Sequence, residues 1–260
     1  LIDNGFPTSP FKIVDEVLPE HLNKTYVQKT RKGGYDGLGV KVLQPESVTT
    51  DILPEPSILE DAVDIKKELA IMVARNPKGE MTCYPVVEMV FDPELNLIDY
   101  LMAPADITQE QAEICKKTAL DLAEKMDYVG IMAVELFLNT EDQILINEIA
   151  PRPHNSGHHT ILATSCSQFT QHLRAILNLP LGDTEIIKPA AMMNVIGNDQ
   201  AEIMPQKKLS SLLTLGDVFY QSYHKPENRP GRKMGHITIL GETSYELEQK
   251  IRLVKEIMLP

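Results

Sequence analysis

Two glutamates, Glu135 and Glu148, each interrupt an otherwise apolar strand pattern, at 131–138 and 143–150, and Asn139-Thr140-Glu141-Asp142 joins the two runs. A four-residue turn sets Leu138 opposite Gln143 and Glu148 opposite Ala133, so the carboxylates lie diagonally on one face of the hairpin. Carboxylates aimed at one point repel unless a cation lies between them. Hard oxygen ligands suit magnesium, which usually takes one or two carboxylates together with substrate phosphates. Asn147, beside Glu148, is a further oxygen donor for such an ion. A register one residue different would turn one glutamate to solvent instead.

Immediately after Glu148 the stretch 144–161, ILINEIAPRPHNSGHHTI, leaves its strand at Pro151. Arg152, His154, Asn155, Ser156 and His158 then follow with almost no apolar residue among them. That density of charged and hydrogen-bonding side chains on one loop fits a polar ligand; a solvated connection is the plainer reading. Two cationic clusters lie elsewhere. Gly33, Gly34, Gly37 and Gly39 sit between strand patterns at 25–30 and 40–43, flanked by Lys29, Arg31 and Lys32. Glycines let backbone N–H groups approach phosphate oxygens, and lysines supply the countercharge. No Gly-Lys-Ser/Thr follows, so this is not a Walker loop, and a flexible hairpin turn stays open as the alternative. Arg229, Arg232 and Lys233 form the second cluster, which fits either a ligand phosphate or an ordinary solvated turn. Glu60 and Glu68, read alone, do not stand out.

These features need a scaffold, and 260 residues suffice for one or two domains with a full core. A net charge of −12 argues against a nucleic-acid or anionic-membrane binder, so an anionic ligand must be met by a local positive cluster. No apolar run approaches a membrane span, and the N-terminus has neither a basic n-region nor a long apolar core. Cys83, Cys115 and Cys166 have no zinc spacing and read as free thiols of a reducing, cytoplasmic protein.

The periodicity predicts strands at 69–74, 81–91, 97–102, 190–197 and 235–241. It predicts a helix at 108–128, opened by a Thr108/Gln111 capping box and burying Ala112, Cys115, Ala119, Leu122 and Met126. A second helix, from about Ser165, presents Phe169, Leu173, Ile176 and Leu177 as its apolar face. A last one follows Thr243 and Glu246 and buries Leu247, Ile251, Val254 and Met258. Leu1 and Ile2 before Gly5 read as the end of a helix, so a preceding segment is expected.

Together KTRKGGYDGLG at 29–39, YVGIMAVELF at 128–137, NEIAPRPHNSGH at 147–158 and RPGRKMGH at 229–236 resemble the ATP-grasp superfamily. Within it they resemble the 5-(carboxyamino)imidazole ribonucleotide synthetases, also called the ATPase subunit of phosphoribosylaminoimidazole carboxylase. The resemblance implies an α+β architecture. An ATP-grasp fold of two subdomains gripping ATP, 1–64 with the glycine-rich loop and 65–187 with the metal site, precedes a small β-rich C-terminal domain at 188–260. It also implies a Rossmann-like N-terminal domain ahead of Leu1. The implied activity is a carbon–nitrogen ligase of purine synthesis. ATP phosphorylates bicarbonate to carboxyphosphate, and the amine of 5-aminoimidazole ribonucleotide captures the carbon dioxide released.

By position, the resemblance places Lys29, Gly34, Tyr35 and Gly37 at the ATP phosphates and Tyr35 and Asp36 toward the bicarbonate and amine. Glu60, Asp61, Ala62 and Val63 become the adenine hinge, and Glu68 holds the ribose. Glu135, Glu148 and Asn147 take magnesium, while Arg152, His154, Asn155, Ser156 and His158 form the bicarbonate pocket. Arg229, Arg232 and Lys233 hold the ribonucleotide phosphate. A homodimer is implied too. Two positions depart from the family pattern: His159 replaces a common Trp and Val40 a common Gln. Another ATP-grasp ligase, such as a formate-dependent glycinamide ribonucleotide transformylase, would share the acidic residues but not PRPHNSGH followed by RPGRKMGH. A non-catalytic ATP-binding fragment would need neither the Glu pair nor Arg152.

Overall fold

A computed structural model describes residues 1–14, 22–34, 39–45, 52–92, 97–199 and 202–259. The chain divides into two compact units: residues 1–66 with 137–147, and residues 67–136 with 148–260. In the first unit, β1 (Phe11–Val14), β2 (Tyr26–Thr30), β3 (Val40–Leu43) and β4 (Ser57–Asp61) form a four-stranded sheet in the order β1-β4-β2-β3. Burial alternates along β2 and β4, as a sheet with one covered face requires. Tyr26, Leu43 and Leu59 make its core. The helix-end pattern at the N-terminus is a single 3-10 turn, Ile2–Asn4, closed by Gly5 at φ 73 with its N–H on the Ile2 carbonyl.

A nine-stranded sheet holds β5 (Ile65–Arg75), β6 (Met81–Cys83), β7 (Val87–Asp92), β8 (Leu97–Ala103), β9 (Gly130–Asn139), β10 (Ile144–Ala150), β11 (Ala190–Ile196), β12 (Val218–Ser222) and β13 (Lys233–Leu240). Its order is β10-β9-β5-β7-β8-β11-β13-β12, with β6 also on β5. The uninterrupted apolar run of β5 is explained by its place: residues 69–74 are all buried. The strand expected at 81–91 is two strands, because Pro85 has no N–H for a ladder and Tyr84 turns its hydroxyl to the Cys166 carbonyl, 2.7 Å away.

Helix α1 (Gln109–Lys125) has the expected reciprocal cap between Thr108 and Gln111 and buries Cys115, Ala119 and Leu122. Met126 lies past its end and is exposed. Two helices beyond β11, α4 (Gln206–Leu213) and α5 (Ser244–Met258), cover one face of β11, β12 and β13. Leu212 and Leu247, Ile251 and Val254 pack there against Met193, Val195, Ile237 and Ile239. Neither α4 nor β12 stands out in the sequence. Among the described residues no helix is long and apolar enough to cross a membrane.

After the four-residue α2 (Thr160–Ala163), helix α3 (Gln168–Ile176) reverses its expectation. Ser167 caps it, not Ser165, and Phe169, Leu173, Ile176 and Leu177 are exposed while Gln168 and Gln171 are fully buried. Polar burial at those two positions is possible because each amide is spent on backbone. Gln171 Nε2 donates to the Gly182 carbonyl at 2.9 Å, and the Gly182 N–H donates to Gln171 Oε1 at 2.8 Å. Replacing Gln171 by Leu would orphan both Gly182 groups and is expected to cost about 1–3 kcal/mol. Leu173→Ala, on the exposed side, should stay within about 0.5 kcal/mol. Urea unfolding of the two variants checks the assignment of faces, and the opposite ranking would refute it.

Candidate functional site

In the first unit Lys29 leaves β2 with its ammonium 2.7 Å from a Glu60 carboxylate oxygen, and it donates to Asn147 Oδ1 at 2.8 Å. Glu60 is set opposite Val27 by the β2–β4 ladder, so the pair is a product of register. Asp61, Ala62 and Val63 line a cavity of about 210 Å³ with Ser9, Pro10 and Thr140. Gly34 is exposed, whereas Tyr35, Asp36 and Gly37 lie outside the described residues. Gly39 closes that loop at φ 80, where a Cβ would sit 2.3 Å from Thr30 Oγ1, so no other residue fits without movement.

The hairpin after β9 is one residue tighter than expected. Asp142 N–H donates to the Asn139 carbonyl at 3.1 Å and Asn139 N–H to the Gln143 carbonyl at 3.0 Å, setting Asn139, not Leu138, opposite Gln143. The cause is local: Asp142 adopts φ 60, and Asn139 Oδ1 accepts from the Glu141 and Gln143 N–H groups at 3.0 and 2.8 Å. At the other end of the hairpin, in the second unit, Ala150 shares an apolar cluster with Ile131 and Ala133. Carried strictly along the strands, the tighter register sets Glu148 opposite Val134 and so on the other face from Glu135, whereas the cluster returns Ala150 to the face of Ala133, so the alternation breaks between Gln143 and Ala150. Strict alternation of burial lapses at Asn147, Glu148 and Ile149, none of which is buried. Among the described residues no group of three His, Cys, Asp or Glu is placed to hold a metal. With no third His, Cys, Asp or Glu among the described residues beside them, such carboxylates suit magnesium carried in on phosphates and do not make a self-contained protein cage.

Glu135 faces the polar loop. Its carboxylate is 3.6 Å from His154 Nδ1, and that nitrogen lies 2.9 Å from Ser156 Oγ. Ser156 is buried, while Arg152 is exposed and donates to its neighbour's carbonyl, Pro153 O, at 3.2 Å. A 3-10 turn, Asn155–Gly157, carries the loop onto the C-terminal strands. There Asn155 and Asn194 exchange amide hydrogen bonds of 2.7 and 3.1 Å, and the β11–β13 register puts His236 opposite Asn194. His158 stacks on His236 with ring centroids 5.0 Å apart, and Tyr223 Oη lies 2.9 Å from His236 Nδ1. Lys233 opens β13 on the same unit, and its charge reaches His158. Arg232 donates to the Glu227 carbonyl at 3.2 Å, and Arg229 is an exposed side chain paired with Glu227. Glu68, in β5 opposite Met89, belongs to this unit as well.

His158 and His159 of the loop, and His236 of β13, are held uncharged. Burial, helped by the neighbouring His236, His154, Lys233 and His159, lowers His158 to about 3. Burial likewise lowers His236 to about 4. His159 is completely buried and lowered to about 4; its Nδ1 lies 3.1 Å from the Ser156 carbonyl, which can only accept, so Nδ1 carries the hydrogen. Its Nε2 then has no hydrogen-bond partner. Burial raises the Cys83 and Cys115 thiols to about 12, in keeping with unreactive cysteines. Sequence reasoning missed Gln168, Asn194, Tyr223 and His236. Of these His236 alone carried a signal, as the last residue of RPGRKMGH.

The class of the protein is that of the ATP-grasp proteins. The model of the ATP-grasp domain matches residues 1–169, and that of the phosphoribosylaminoimidazole carboxylase C-terminal domain matches residues 190–250. The N5-carboxyaminoimidazole ribonucleotide synthase of Mycobacterium bovis is 38% identical over 247 residues, which are 92% of this chain and 57% of that protein. The crystal structure of the Thermotoga maritima N5-carboxyaminoimidazole ribonucleotide synthetase is 39% identical with a TM-score of 0.86, over 98% of this chain and 68% of that one. An Aspergillus clavatus synthase in complex with ADP and 5-aminoimidazole ribonucleotide is 30% identical with a TM-score of 0.86, over 99% and 70%. The chain belongs to the N5-carboxyaminoimidazole ribonucleotide synthase family of ATP-grasp proteins.

Three neutral histidines, His159 and His236 buried and His158 half-buried, make stability depend on pH in a definite direction. Their folded values lie below the ordinary histidine value of 6.5, so the unfolded chain binds more protons in the window between. Stability is therefore full above about pH 6.5 and falls as pH drops toward 4. Urea midpoints from pH 8 to 4 should show this decline, and His159→Phe should make it shallower. A midpoint rising on acidification would contradict it.

Proposed function

We propose that the chain carries the ATP-grasp and C-terminal parts of a ligase that uses ATP and bicarbonate to carboxylate the amine of 5-aminoimidazole ribonucleotide, in purine synthesis. The observation that carries the reading is the Glu135–His154–Ser156 cluster, joined through Asn155–Asn194 to the strands that bear His236 and Lys233. A carboxylate suited to phosphoryl transfer thus lies against a loop whose His158 feels the charge of Lys233. Phosphoryl transfer asks mainly for positioning and charge neutralisation, and these residues are suited to both.

From the first unit, Lys29 meets the ATP phosphates, aided by Gly34, Tyr35 and Gly37, and Glu60, Asp61, Ala62 and Val63 meet the adenine. Two of Lys29's three donors are engaged by Glu60 and Asn147, so a phosphate must take the third or displace one of them. From the second unit, Glu68 holds the ribose. Glu135 and Glu148 would hold magnesium, with Asn147 joining them once Lys29 has turned to phosphate. When bound, the ion neutralises charge on the phosphates during transfer. His154 and Ser156 bind bicarbonate beside Glu135, Asn155 fixes the loop, and Arg152 supplies the cation for carboxyphosphate. Asp36 would serve the amine. Arg229, Arg232 and Lys233 hold the ribonucleotide phosphate, and the charge of Lys233 reaches His158. A dimeric, cytoplasmic enzyme completes the proposal.

The deciding measurement is ATP hydrolysis with and without bicarbonate and 5-aminoimidazole ribonucleotide. It is run on this chain and on one extended at its N-terminus to the length of its relatives. Bicarbonate dependence in either chain, with stimulation by the ribonucleotide, is expected; stimulation by glycinamide ribonucleotide and formate would overturn the reading. Glu148→Gln should lower magnesium-ATP turnover by about a hundredfold or more while leaving the circular dichroism and urea midpoint unchanged. Unaltered turnover would remove Glu148 from the phosphate-handling set.

A further inference from the structure

We propose that Gln168 is a positioning residue whose amide confines His158 to the Nε2–H tautomer, making this imidazole an uncharged N–H donor to the carboxylate oxygens of the bicarbonate-derived ligand. The ligand assignment rests on the function proposed above; the tautomer does not.

The argument is one of hydrogen-bond direction. Gln168 is fully buried, and its Oε1 accepts from the His154 N–H at 2.8 Å, a group that can only donate. Its Nε2 donates to the His154 carbonyl at 2.8 Å, a group that can only accept. The amide is therefore fixed in direction by backbone on both sides, with no freedom to flip. The same Nε2 lies 2.9 Å from His158 Nδ1. An N–H can be received only by an unprotonated nitrogen, so Nδ1 is the acceptor and the ring proton of His158 sits on Nε2. Gln168 is itself held at the start of α3 by its backbone N–H, which donates to Thr160 Oγ1 at 2.9 Å. Gly157 leaves room for the amide: a Cβ there would lie 2.5 Å from Gln168 Oε1.

Packing restricts the ring further. His158 stacks on Phe169 at 5.8 Å and on His236 at 5.0 Å, with Tyr223 edge-on at 6.1 Å. The charged and titratable groups facing it are His154 and His159 from its own loop and His236 and Lys233 from β13, with the Tyr223 hydroxyl beside them. A second cation among these is disfavoured by burial and by Lys233, in accord with the lowered proton affinity of the ring. The chemistry gains from this. The amine that captures carbon dioxide must keep its lone pair, and an imidazolium beside it would compete by donating a proton. An N–H donor that stays neutral orients a carboxylate without acting as an acid.

The test is a long-range ¹H–¹⁵N correlation spectrum of the histidine rings at pH 7, with His158 assigned by its loss in His158→Gln. The wild type should show a single Nε2–H pattern for His158; an Nδ1–H pattern, or an average of both, would overturn the proposal. In Gln168→Glu the carboxylate can only accept, so His158 should gain a proton at Nδ1, and persistence of the wild-type pattern would refute Gln168 as the cause. For the donor role, Gln168→Glu should raise the bicarbonate KM about tenfold with the ATP KM unchanged, in whichever of the two chains hydrolyses ATP. A switched tautomer with an unchanged bicarbonate KM would sink the donor role. If wild-type hydrolysis ignores bicarbonate, the functional reading falls while the tautomer result stands on its own. Should Gln168→Glu fail to fold, the wild-type spectrum still decides.

Discussion

A polar loop packed against an apolar sheet can be held in one shape only if its own backbone is satisfied from within the protein. Here the Gln168 side chain does that for His154, accepting from its N–H and donating to its carbonyl. The shape of the loop proposed to take bicarbonate depends on this pair of bonds. They set where His154 meets Glu135 and Ser156, and where Asn155 reaches Asn194. The amide also explains α3. A helix whose inner positions are Gln168 and Gln171 gives up hydrophobic burial there to order the segments on either side, 154–158 and 182.

The fold was largely legible because its strongest signals are periodic. The run at 69–74, the α1 face with its capping box and the inner face of α5 needed nothing beyond spacing. Expectation failed where local chemistry overrode spacing. At the β9–β10 turn the Asn139 side chain pulled the hairpin one residue tighter. In α3 the apolar stripe misled, since a stripe shows which residues could be buried and not whether anything lies against them. A polar position can win that contest when its hydrogen bonds are all made, and pattern reading has no access to that condition.

Within the site, residue types carried further than geometry. Glu135 was singled out by interrupting an apolar strand and His154 and Ser156 by the density of polar residues on their loop, and the structure brings the three together. Gln168, Asn194 and Tyr223 were invisible, because they act on other residues of the loop and strands and are ordinary amides and phenols until their partners are known. Lys29 shows the reverse. Its sequence context pointed to a phosphate, while the structure finds it between Glu60 and Asn147.

The outward face of α3 bears on how the molecule behaves in bulk. Phe169, Leu173, Ile176, Leu177 and Leu179 are all exposed. A surface of that kind is kept from self-association in part by mutual repulsion between molecules, here supplied by a net charge of −12 at pH 7. Near the isoelectric point of about 5.1 that repulsion vanishes. The same acidity begins to penalise the buried histidines. Colloidal and conformational stability therefore fail together on the acid side, and neutral to mildly alkaline buffers are where this protein keeps both.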